Sequence, residues 1–123
     1  MTPELALAID ACASDSAALI VKLIKKINEV RVFKRKCGQL GAEAKLLNKT
    51  LTKNKASIKD FETLERFSTC LDRIEKFVES CTSMGYTEIS WEVFFKHEFR
   101  RLRKEALALR ALFTFESVVC RVA

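Results

Sequence analysis

Residues 30–51 read VRVFKRKCGQLGAEAKLLNKTL. Val30, Phe33, Cys37, Leu40, Ala44, Leu47 and Leu51 recur at alternating steps of three and four. That spacing draws one stripe down a helix and has the form of a packing seam. Arg31, Lys34, Arg35 and Lys36 crowd around the upper part of the same stripe. The apolar thread therefore needs partner helices, while the cations project from the same element. Gly38 and Gly41 sit inside the pattern. Glycine within a helix costs about 1 kcal/mol relative to alanine. Both are expected to admit close approach of a neighbouring helix.

The flanking segments supply such partners. Upstream, Thr2 can cap, Pro3 fits a first helical turn and Glu4 suits the positive end of the dipole. Leu5, Ile9, Cys12, Ser16, Leu19 and Leu23 then follow at helical steps. The phase slips near Ile27-Asn28-Glu29, which predicts a break there, although no Gly or Pro marks it. Downstream, the polar stretch 50–57 reads as a loop. Ser57 with Asp60 resembles a capping box with an acid in place of the usual Glu. Phe61, Leu64, Phe67 or Ser68, Leu71, Ile74, Val78 and Cys81 give a third stripe. TSMGYTE interrupts it, and Thr87 or Ser90 can cap a fourth helix. That helix runs through Trp91, Phe95, Phe99, Leu102, Ala106, Leu109 and Phe113. Phe94 and Phe95 are adjacent, so at about 100° per residue they cannot both centre on one narrow face.

With short links, four such helices make an all-α antiparallel four-helix bundle. The expected helices are 3–27, 30–53, 58–83 and 88–119, in one domain covering 1–123. The expected core includes Phe33, Cys37, Leu40, Leu47, Leu71, Ile74, Trp91, Leu102 and Leu109. Only 3 Gly and 1 Pro punctuate 123 residues, which favours long helices over hairpins. No strand signal or internal repeat competes.

The chain carries a net charge of +6. Residues 1–60 hold 12 Lys/Arg and 6 Asp/Glu, whereas residues 61–123 hold 10 of each. The excess is thus assigned to the first half, and residues 22–36 alone carry 7 cations and one acid. Such a patch attracts polyanions: acidic lipid headgroups, nucleic acid or an acidic partner. A plain solvated helix face has the same composition.

Five cysteines, at 12, 37, 70, 81 and 120, show no CxxC spacing. The opening MTPELALAID lacks the cationic start of a secretory signal. Reduced, mostly buried thiols in a cytoplasmic protein are expected. The only histidine, His97, lies between Lys96 and Glu98 and has no paired ligand spacing. No zinc site, other cofactor or partnered nucleophile is indicated, which argues against an enzyme. His97 is read as a surface or boundary residue. The basic run holds Phe33 as its only aromatic, and no zinc, homeodomain or RNA-binding fingerprint is present. Nucleic acid is therefore the weakest of the polyanion readings.

The first helix has a second peculiarity. Between Glu4 and Lys22 the only charges are Asp10 and Asp15. Its length is at the edge of what spans a bilayer. Two acids, at about 2.5–3.5 kcal/mol each, oppose insertion as a lone helix. Small residues at four-residue spacing, such as Ala13 with Ala17 and Ser14 with Ala18, suit helix association in lipid. A helix that is soluble in one state and inserts in another has this composition. So does an ordinary bundle helix with an alanine-rich seam.

Residues 32–51, VFKRKCGQLGAEAKLLNKTL, resemble the second helix of the N-terminal bundle of the mixed-lineage kinase domain-like family. The match rests on the basic run, Cys37, Leu40-Gly41, Leu46-Leu47 and the Lys-x-Leu ending. FETLERFSTCLDRIEKFVESC (61–81) is similar to that family's third helix, and FFKHEFRRLRKEALAL (94–109) to its fourth. The fungal HeLo-like and HET-s-type domains are related, and the alanine-rich first helix looks more like that branch. The resemblance implies a cell-death executioner bundle. It would stay folded until an upstream sensor or amyloid-type switch, in a separate region or chain, oligomerises it. It would then leave the cytoplasm, bind anionic phospholipid and permeabilise the plasma membrane. By position, Lys22, Lys25, Lys26, Arg31, Lys34, Arg35 and Lys36 would bind lipid. Leu5, Ile9, Ala13, Ala17, Leu19 and Ile20 would enter the membrane. A helical interaction module without membrane activity is the alternative.

Overall fold

The structure is a computed structural model that describes the backbone of residues 2–31, 33–83 and 89–122. Side chains are described for residues 2–31, 33–82 and 95–114. Among the described residues there are four long helices and no strand. They are α1 (Pro3–Glu29), α2 (Lys34–Lys53), α3 (Phe61–Ser83) and α4 (Ile89–Val122), with a short 3-10 turn, Lys55–Ser57, between α2 and α3.

α1 and α3 start where a side chain satisfies one of the free N–H groups of the first turn. At α1 the Leu5 N–H donates to Thr2 Oγ1 at 3.2 Å, with Pro3 in the first turn. At α3 the cap is Asp60 rather than a Ser57–Asp60 box. Its Oδ1 accepts from the Thr63 N–H at 2.8 Å and from the Thr63 hydroxyl at 2.7 Å. Those two bonds, the hydroxyl's first, hold the Asp60 carboxyl below its ordinary pKa. Ser57 is buried and donates to the Asn54 and Phe113 carbonyls, so its hydroxyl is already used.

The first link differs from expectation. α1 continues to Glu29 because nothing in Ile27-Asn28-Glu29 breaks it. The chain turns instead at Val30, whose extended backbone donates its N–H to the Ile27 carbonyl at 3.2 Å. Phe33 then takes a left-handed conformation, with φ 58° and ψ 31°, and α2 begins at Lys34. A bulky residue in this region costs of order 1–3 kcal/mol. The Phe33 ring offsets part of that by packing 5.6 Å from the Phe95 ring. Phe33 therefore sits at the rim of the core, half-buried, rather than inside it.

Side-chain pairs fix the topology. Lys55 bonds Asp10 and Asn48 bonds Ser16, so α1 and α2 run antiparallel. Phe67 meets Phe113 and Phe77 meets Phe95, so α3 and α4 do the same. Glu43 meets Arg110 and Lys36 meets Phe99, so α2 and α4 run parallel. α1 packs on α2 and α3, and α4 packs on the same two, so α1 and α4 occupy opposite corners. Cys37, Leu40, Leu47, Leu71, Ile74, Leu102 and Leu109 are all buried between them. The Trp91 and Phe94 side chains lie outside the described residues. Phe95 is buried and meets Phe77 edge-on at 5.2 Å.

The two glycines of α2 separate. A Cβ on Gly41 would stand 2.6 Å from Ile27 Cδ1, so α1 lies close there and the tip of the Ile27 side chain would have to shift to admit a methyl. A Cβ on Gly38 would meet nothing within 4 Å, so packing does not explain that residue.

Candidate functional site

The seven cations expected to share one lipid-binding face do not form a single surface. Lys22 and Lys25 lie exposed on α1, Arg31 is exposed in the link, and Lys34 and Arg35 are exposed on the first turn of α2. Lys26 points across to α3, where its ammonium lies 3.1 Å from Glu75 and 4.0 Å from Glu79. The bond to Glu75 raises the Lys26 pKa, and its role is to tie α1 to α3. Lys36 turns the other way. Its ammonium sits 5.5 Å from the ring centres of both Phe33 and Phe99. Cation–π contacts at half-buried positions hold such a charge without neutralising it.

Lys36 opens into a groove between α2 and α4 of about 600 Å³. The other lining residues are Lys96, Phe99, Arg100, Arg103, Lys104 and Leu107, all on α4. Five cations thus converge from two helices on an apolar floor of Phe99 and Leu107. Among the described residues no acid lines the groove. Elsewhere on α4, the acids among the described residues are engaged: Glu98 lies 3.9 Å from Arg101, and Glu105 accepts from Arg66 at 3.1 Å. On α2, Glu43 accepts from Arg110 at 3.2 Å.

The sequence reading missed this site by averaging charge over half the chain. The signal was present as spacing. Positions 96, 100, 103, 104 and 107 follow helical steps of four, three, one and three, one face of α4.

The first turn of α2 adds a second unusual feature. Lys34, Arg35 and Lys36 occupy it with no acid and no side-chain cap. Cations at the positive end of a helix dipole are destabilising by some tenths of a kcal/mol each. The rings of Phe33 and Phe99 hold Lys36 there, and an anion docked at this helix start would relieve the crowding of like charges.

The residues expected to enter a membrane are mostly engaged within the bundle. Leu5, Ile9 and Ile20 are buried, Ala13 and Leu19 are half-buried against the core, and Ala17 is exposed. The Ala13 carbonyl accepts from both Ser16 and Asn48. Among the described residues, no helix is long and apolar enough to cross a membrane. His97 is exposed.

Cys37, Cys70 and Cys81 are buried free thiols, and Cys12 is a half-buried one. Burial pushes the Cys70 thiol up to about 11. The Cys37 thiol is pushed up by its hydrogen bond with the Cys81 thiol and by burial. Cys120 lies outside the described side chains.

The chain matches no protein-family model, no curated protein and no solved structure.

Proposed function

We propose that this chain is a membrane-permeabilising executioner domain of the HeLo-like, mixed-lineage kinase domain-like type. It binds anionic phospholipid, oligomerises and disrupts the plasma membrane, to which it relocates from the cytoplasm when an upstream sensor or switch gathers copies together. The observation that carries the reading is the α2/α4 groove, where five cations, four of them exposed, surround an apolar floor. Near an anionic leaflet each cation contributes about 1 kcal/mol. The uncapped, cation-filled start of α2 supports the same chemistry.

Insertion of α1 is a later step in this reading. Leu5, Ile9, Ile20 and Leu23 are buried, and exposing each such side chain costs roughly 1.5–3 kcal/mol. α1 therefore stays docked until another contact compensates. Asp10 and Asp15 bar it from hydrocarbon alone, but in an oligomer they can face a water-filled lumen.

A helical interaction module without membrane activity is the second reading. It is favoured by Leu7 and Val21, which stand exposed on α1.

The test fuses the chain to an inducible oligomeriser and follows dye release from vesicles with and without anionic lipid. The expected result is release from anionic vesicles only, lost on deletion of residues 1–21. Equal release from neutral vesicles would refute the electrostatic reading. Release that survives the deletion would remove α1 insertion from the mechanism. No release from either vesicle would leave the interaction module as the function.

A further inference from the structure

The buried seam of α1 runs through Leu5, Ile9, Ser16, Ile20 and Leu23. A second stripe, at Glu4, Leu7, Ala11, Ser14, Ala18, Val21 and Lys25, follows steps of three and four on the outward side of the same helix. All seven residues are exposed. Leu7 is 71% exposed and Val21 is 56% exposed, among the most exposed large apolar side chains of the described residues. α2 and α3 cover the opposite side of α1 and leave this face exposed among the described residues.

The order along the stripe has a particular symmetry. It runs acid, large, small, small, small, large, base, and the pattern reverses onto itself about Ser14 with its charges exchanged. An isologous contact requires that residue i meet j and that j meet i. If a second copy lies antiparallel across the stripe, Glu4 meets Lys25 of that copy. Leu7 then meets Val21, Ala11 meets Ala18, and Ser14 meets Ser14. Both ends of the pair gain opposite charges, and the small centre lets the two axes approach to about 8 Å. A parallel pairing would set Glu4 against Glu4 and Lys25 against Lys25, which is repulsive. Asp10 does not stand against the contact, because Lys55 of its own chain holds it at 2.9 Å. Asp15 lies about 100° around the helix from Ser14, at the edge of the stripe.

We infer that two copies of this chain pair antiparallel through the outward face of α1, about a two-fold axis at Ser14. One helix face per copy falls below the roughly 1,200 Å² of a standard stable interface. The pair is consequently weak and depends on concentration. It forms without lipid, so it stands apart from the membrane reading.

Sedimentation equilibrium of the full chain in lipid-free buffer tests this. The apparent mass should rise with concentration from the 14.0 kDa monomer toward twice that value. Leu7→Lys with Val21→Lys should hold the chain at monomer mass over the same range. Because both sites are exposed, its circular dichroism and thermal midpoint should match the wild type. Glu4→Lys alone should weaken dimerisation several-fold, and adding Lys25→Glu should restore it, because the exchange rebuilds both end pairs. A chain that stays monomeric at every concentration overturns the proposal. So does a dimer that survives the Leu7 and Val21 changes, or a double exchange that fails to rescue.

Discussion

On its α3 side, α4 contributes Arg101 and Glu105 to a groove of about 390 Å³ that also holds Glu62, Glu65, Arg66 and Arg73. Three acids and three bases share it, and Arg66 is bonded to Glu105 across it. On its α2 side, the same helix contributes Lys96, Arg100, Arg103 and Lys104 to a groove without an acid among the described residues. One helix thus carries a face where acids and bases alternate and, more than a third of a turn away, a face lined by bases alone among the described residues. The difference teaches that charge in this chain is sorted by helix face and not by stretch of sequence. The run at 22–36 is contiguous in sequence but scatters in space, sending Lys26 to α3 and Lys36 to α4. The α4 cations are interrupted in sequence by Glu98 and Phe99 and still converge.

The sharpest way to break the comparison removes three charges from each face. Arg100→Gln, Arg103→Gln and Lys104→Gln together should weaken binding to anionic vesicles about a hundredfold, taking about 1 kcal/mol per cation. Arg66→Gln, Arg73→Gln and Arg101→Gln lower the net charge by the same amount. They should change binding only a few-fold, because those arginines already face acids. Vesicle co-sedimentation at about 0.1 M salt reads both. Equal losses would mean that net charge alone governs binding and that the grooves do not differ. Salt sharpens the result. The Debye length falls to about 3 Å at 1 M, so wild-type binding should fade with salt while the groove variant responds less.

A smaller effect separates the two glycines of α2. Gly38→Ala should stabilise the fold by about 1 kcal/mol, since helix propensity improves and the new methyl meets nothing within 4 Å. Gly41→Ala should gain less, because Ile27 Cδ1 must move out of the way. Urea midpoints measure both. Equal gains would show that α1 and α2 are not pressed together at Gly41.

The seams explain what the sequence could disclose. Cys37, Leu40 and Leu47 on α2, Leu71 and Ile74 on α3, and Leu102 and Leu109 on α4 were readable, because burial imposes a period that no other force imitates. The link at Val30–Phe33 was not. Its turn rests on a phenylalanine in a left-handed conformation, a choice made by packing on Phe95 rather than by any local preference. The α3 cap was half-readable, since Asp60 and Ser57 are both cap formers. The folded chain shows that the Ser57 hydroxyl is occupied elsewhere, by the Asn54 and Phe113 carbonyls. The groove was hidden for another reason. A charge count weights every residue equally, whereas a site depends on which residues share a helix face and which acids are already engaged.

The smallest effect contrasts two lysines of the one basic run. Lys36→Gln should lower vesicle affinity by about fivefold, the share of one cation, with little change in stability. Lys26→Gln should leave affinity nearly unchanged and lower stability by at most about 1 kcal/mol, as expected of a partly exposed ion pair. The pH dependence distinguishes the second case. Glu75 raises the pKa of Lys26 in the folded chain above its unfolded value of about 10.4. The stabilisation is therefore complete below that unfolded value and is lost as pH rises through the folded one. The stability gap between wild type and Lys26→Gln should accordingly be constant from neutral pH to about pH 9. It should close at more alkaline pH as the wild-type lysine gives up its proton. A gap that instead closes on acidification toward pH 6 would assign the effect to some group other than Lys26. A Lys26→Gln variant that loses vesicle binding as strongly as Lys36→Gln would return Lys26 to the lipid-facing set and restore the contiguous run as the site.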